Sequence, residues 1–177
     1  MNKKSSSKFF KKNFVTISSE QIKQLKLRTR KQKYKKYRYC LHNSIKHLTQ
    51  EMIICTKDFV YSRPHKHPKN SSKSYHIIEG SMDIMLFSEK GKLTNIIKLS
   101  SKNRKDCLKV FRLSKSIYHT MIPTSKWTIW HEVVTGPFIQ NSAKFSKLAS
   151  FAPTGSEETT ILKNYILDKI YYFKKKK

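Results

Sequence analysis

With 177 residues and a formal net charge of +27, the chain defaults to one strongly basic domain. No apolar run reaches the roughly 20 residues a membrane-spanning helix needs, which excludes a helical span. The three cysteines, Cys40, Cys55 and Cys107, are odd in number and none sits at metal-ligand spacing from another, which excludes a disulfide framework or a cysteine-bound metal and points to a reducing, cytoplasmic setting.

Residues 1–17 read as a basic flexible tail, since MNKKSSSKFFKKNF lacks the apolar core of a secretory signal. In 18–39, an N-terminal helix and a basic connector are expected. Ser18 and Gln21 have the spacing of a capping box, and Ile22 and Leu25 share a helical face. Arg28 to Tyr39 interleaves Lys and Arg with Tyr34, Tyr37 and Tyr39. Such a segment can stack and pair with single-stranded nucleic acid, but it reads better as a helix end followed by a connecting strand. Residues 40–158 change to β periodicity. Strand-like runs are Met52 to Val60, 75–80, 82–88, 93–100, 107–113, 117–122 and 127–134, with a turn at Glu89 to Lys92 where Gly91 supplies the permissive φ. Short sequential strands with no helical pattern between them predict an antiparallel sandwich or barrel. Residues 159–177 carry apolar positions 161, 162, 166, 167 and 170, which predict a terminal helix, and end in a lysine tail.

The chemistry concentrates in 63-RPHKHP-68. In an extended segment residues two apart project to the same face, so His65 and His67 point together. The flanking prolines favour that geometry. His119 lies in a later strand, and a barrel that pairs the two segments brings it to the other two. Three imidazoles suit zinc, iron, nickel or copper better than magnesium or calcium.

These pieces carry a resemblance. Arg38 with 41-LH-42, Gln50, 63-RPHKHP-68, 75-YHIIEG-80, 84-IMLFSEKGKL-93, 118-YHT-120, 132-EVVTGP-137 and 149-ASFAP-153 follow the order and spacing of the WbuC-type proteins of the cupin superfamily. The chain resembles that family over about residues 18–158. The resemblance implies a double-stranded β-helix, the cupin jelly-roll barrel, flanked by short N- and C-terminal helices. It also implies His65, His67 and His119 as ligands of a divalent transition metal, one of zinc, iron, manganese or nickel.

The sequence departs from the family at Lys73, seven residues before Gly80, where the family's carboxylate ligand belongs. An ammonium repels a dication and has no lone pair to give. Three readings follow: a three-histidine site with open water positions, a substitute ligand in Glu132 or Glu79, or a site that has lost its metal. The second motif departs as well, with Ser114 and Ser116 where the family has proline and glycine. Lys73, Tyr75, Arg63 and His42 are placed at the pocket. His76 and His131 read as structural, and Trp127, Trp130, Phe87 and Phe111 as packing.

By association with the family, a sugar or nucleotide-sugar ligand in surface-polysaccharide (O-antigen, lipopolysaccharide) synthesis is implied, with a homodimer as the family's common state. Whether the chain is an enzyme stays open, as do its catalytic residues. The alternative is a non-catalytic, metal-poor cupin that binds nucleic acid or an anionic glycan through its charge. Lys outnumbers Arg 32 to 6, whereas dedicated phosphate readers favour the planar fork of Arg. Non-specific nucleic-acid binding is therefore the expected extent of that affinity.

Overall fold

Chain order alternates between two facing sheets, and that alternation defines the architecture. The computed structural model describes residues 5–60, 62–139, 143–145 and 168. Its elements are β1 (Ser7–Phe9), α1 (Ser19–Arg30), β2 (Lys36–Cys40), β3 (Thr49–Lys57), β4 (His65–Lys66), β5 (Lys73–Glu79), β6 (Ser81–Phe87), β7 (Leu93–Ser100), β8 (Val110–Leu113), β9 (Tyr118–Pro123), β10 (Trp127–Thr135) and β11 (Lys144–Phe145). One sheet has the order β1-β2-β3-β10-β5-β8, the other β11-β4-β9-β6-β7. From β3 onward the chain crosses between sheets at almost every connection, and all pairings but β1 with β2 are antiparallel. The fold is an antiparallel two-sheet jelly-roll barrel, as expected.

Period-two alternation explains the two apolar layers. The inner faces place Met52, Ile54, Tyr75 and Trp130 of the first sheet against Met82, Ile84, Leu86 and Met121 of the second. On the outer face of the first sheet, Tyr37, Tyr39, Ile53, Cys55 and Ile129 pack under Leu25 of α1. β3 is thus covered on both sides, which accounts for its unbroken run 52-MIIC-55. The capping box forms as expected: Gln21 N–H donates to Ser18 Oγ (3.2 Å) and Ser18 N–H to Gln21 Oε1 (2.8 Å). Gly80 joins β5 to β6 at φ +79°, and a Cβ there would lie 2.0 Å from the Trp127 carbonyl oxygen. Only glycine serves both demands.

One expectation about the flanks is modified. The segment 1–17, expected as a tail, contains β1, which pairs in parallel with β2 and is followed by a Phe10 N–H to Cys40 carbonyl bond. The physical reason is that Phe9 and Phe10 bury against the barrel and its outer layer, respectively. The connector after α1 is strand β2, with its tyrosines directed under the helix. The expected C-terminal helix and lysine tail, Asp168 apart, and the 149–153 match lie outside the described residues. Among the described residues, no helix is long and apolar enough to cross a membrane.

Candidate metal centre

β4 and β9 pair in the register His65 with His119, so two histidines distant in sequence become neighbours. His67 follows just past β4. The ring centroids lie 5.0 Å apart for His65 and His67, 4.8 Å for His65 and His119, and 5.5 Å for His67 and His119. One nitrogen from each ring falls within 4.8 Å of the others.

The backbone fixes which nitrogen faces inward. His65 Nδ1 lies 2.7 Å from the Arg63 carbonyl, and His119 Nδ1 lies 2.9 Å from that of Ile117. A carbonyl only accepts, so each Nδ1 carries the proton and each Nε2 keeps its lone pair. The Nε2 atoms of His67 and His119 are buried with no hydrogen-bond partner. Ser116 Oγ–H donates to the His67 carbonyl and tethers that loop, so one of the residues that departs from the family motif holds the segment in place.

Burial keeps the three rings neutral, with Lys73 adding to the effect: the pKa of His65 falls to about 4, His67 to about 3 and His119 to about 2. Three neutral imidazoles, His119 buried and His65 and His67 half-buried, with ligand nitrogens within 4.8 Å of one another, fit a transition-metal ion.

Facing them from the first sheet is a charged group. Lys73 Nζ and Glu132 Oε1 form a buried ion pair at 3.4 Å, both side chains 7% exposed. Trp130 Nε1–H donates to Glu132 Oε2 (3.1 Å). Burial alone raises the Glu132 pKa, but Lys73, the Trp130 hydrogen bond, Lys36 and Arg38 more than offset it and hold the carboxyl at about 2. Lys36 lies 5.9 Å from the Trp130 ring centroid and is itself lowered to about 8, chiefly by burial. A half-open depression of about 290 Å³ borders Lys73, lined by Ser72, Ser74, Arg112, Val134 and Thr135 among others, and by none of the three histidines, Tyr75 or Glu132.

The expected site residues sort clearly. Tyr75 lies in the interior, fully buried, 6.5 Å from the His119 ring centroid, with its hydroxyl lacking a partner. Arg63 contributes its backbone carbonyl to His65. Glu132 is in the interior but engaged with Lys73 and Trp130. Glu79 is corrected as a substitute ligand: it pairs with Lys26 of α1 at 2.6 Å, because the end of β5 turns it toward the helix. His42 Nδ1 lies 2.9 Å from both the N–H and the carbonyl of Glu51, and its ring packs edge-on against Phe9, so its contacts belong to the join of β2 and β3 and not to the histidine group. His76 and His131 pack together with centroids 5.4 Å apart, and His131 pairs with Glu51 (3.0 Å).

Sequence reasoning missed Lys36 and Arg38 as half-buried cations acting on Glu132. The available signal was the alternation in 36-KYRYC-40: Tyr37 and Tyr39 belong to the outer layer, while Cys40 joins the inner one.

A sequence-family profile described as a domain of unknown function, DUF6016, matches residues 17–99. No curated protein sequence matches. Among solved structures, the chain is similar to a protein from Shewanella oneidensis (TM-score 0.48, 15% identity, 58% of this chain and 65% of that one). It is similar to the Cnp3 cupin domain of Schizosaccharomyces pombe (TM-score 0.42, 11% identity, 56% and 60%) and to a variant oxalate decarboxylase of Bacillus subtilis (TM-score 0.47, 16% identity, 73% and 32%). The matched regions thus span less than two thirds of each of these three chains.

Proposed function

We propose that the protein binds one divalent transition metal through His65, His67 and His119 and takes a small molecule into the barrel beside it. The observation that carries this reading is the pair of buried, partnerless Nε2 atoms on His67 and His119, in a group whose ligand nitrogens, His65 included, all lie within 4.8 Å of one another. Buried polar atoms are mostly hydrogen-bonded, and a bound ion is one of the arrangements that satisfies those that are not. A bound metal would supply Lewis-acid polarisation of a ligand oxygen or an acidified water. The chain's own residues do the rest: Arg63 and Ile117 orient two of the rings, Ser116 anchors the third, and the apolar core below excludes water. Zinc, iron and nickel suit three imidazoles; manganese prefers oxygen ligands.

The WbuC-type resemblance supports a sugar or nucleotide-sugar ligand in surface-polysaccharide synthesis. Elemental analysis of purified protein, beside a His65→Ala/His119→Ala control, tests the metal. About one metal per chain, lost in the control, is expected; no metal in the unmodified protein after reconstitution overturns the reading. A second reading, polyanion binding without a metal, is favoured by the +27 charge and would then take its place.

A further inference from the structure

We propose that Lys73 and Tyr75 form an oxyanion site inside the barrel, beside the three imidazoles, for a small molecule bearing a carboxylate or phosphate group. The inference rests on the ligand half of the reading above, that a small molecule enters the barrel, and not on the metal.

Lys73 and Tyr75 are two apart on β5 and so share the inner face. Lys73 Nζ stands 5.6 Å from the Tyr75 ring centroid, and Tyr75 faces His119. The Tyr75 hydroxyl is wholly buried and partnerless, and Arg38 Nε is buried without an acceptor as well. A phenol in a closed core ordinarily finds a hydrogen-bond partner. Here a donor points into the interior with nothing to receive it.

The charges point the same way. Three cations, Lys36, Arg38 and Lys73, act on one carboxylate, Glu132. An ammonium offers three N–H donors, and one carboxylate oxygen at 3.4 Å leaves capacity for another acceptor. The missing component is a small anion with oxygen acceptors, placed where Lys73 supplies charge and Tyr75 supplies a directed O–H.

The test is calorimetric titration of the metal-free protein with acetate and, separately, with inorganic phosphate, in unmodified, Tyr75→Phe and Lys73→Met forms, with metal content assayed in parallel. Saturable binding of one anion, weakened about tenfold or more in Tyr75→Phe, is expected, and the anion that binds identifies the group recognised. Tyr75→Phe keeps the ring and its packing, so the test survives if Lys73→Met fails to fold. Binding that is absent, or that is equal in the unmodified and Tyr75→Phe proteins as surface lysines would give, overturns the proposal. Tyr75-dependent binding in protein that takes up no metal upholds this site while the metal reading falls. Metal uptake without Tyr75-dependent binding does the reverse.

Discussion

At the scale of single residues, Lys73 and Glu132 govern the candidate site. Each charge is tolerable inside the barrel only because the other is there. Glu132→Gln leaves the buried ammonium without its counter-ion, and we expect a loss of about 3–5 kcal/mol in unfolding free energy, read from denaturant midpoints. Lys73→Glu removes a cation beside three imidazoles and adds a possible oxygen donor. Metal titration should show tighter binding than in the unmodified protein, and an unchanged affinity would count against the placement of residue 73 at the site. The histidines set the pH response. In the unfolded chain each takes a proton near pH 6.5; in the fold they do so only near about 4, 3 and 2. The unfolded state therefore binds more protons across this window, and the stability of the metal-free protein is full above about pH 6.5 and falls as pH drops. Glu132 acts in the same direction: its stabilisation is present above its ordinary 4.5 and lost as pH falls toward about 2. Thermal unfolding followed from pH 7.5 to 4 should show a plateau down to about pH 6.5 and a decline below it. The His65 and His67 pair was readable from its i, i+2 spacing, His119 joined it only through an assumed barrel, and Lys73 stood out only through the family resemblance. Lys36 and Arg38 were not readable, because a lysine or arginine in a basic stretch reads as solvated until its strand has a partner and a face.

At the scale of elements, α1 is the outer cover of the first sheet. Its position follows from a local signal, the Ser18–Gln21 box, and a non-local one, the fully buried Leu25 over Tyr37, Ile53 and Ile129. Leu25→Ala should cost about 2–5 kcal/mol by the lost burial and the cavity left behind. Ser18→Ala should cost about 1 kcal/mol by leaving a first-turn N–H without its acceptor. Both are measurable by chemical denaturation, and a larger cost for the cap than for the core leucine would contradict the packing described. The helix and the central strands were legible because periodicity and capping are short-range properties. β4 and β11 were not expected as strands in their own right, since each is two residues long and exists only through pairing.

At the scale of the whole molecule, the jelly roll could be inferred only from the order of several motifs together. Strand periodicity alone left sandwich and barrel undecided, because nothing local in a strand states which sheet it joins. The net charge of +27 is a property of the whole surface. Binding to a duplex DNA of arbitrary sequence should weaken linearly in log affinity against log salt, alike for any sequence; a sequence-dependent, salt-insensitive component would reveal a dedicated nucleic-acid site. The short strand β1 has one more consequence. By lying parallel along β2 it occupies the backbone donors and acceptors at that edge of the six-stranded sheet, where β2 would otherwise offer a template to another polypeptide. Three residues, one of them a lysine, make a poor template in turn. Ser7–Phe9 thus works as a selvedge, the bound margin that keeps a fabric from joining or fraying, and a chain trimmed of its first ten residues should self-associate in light scattering at concentrations where the full chain does not.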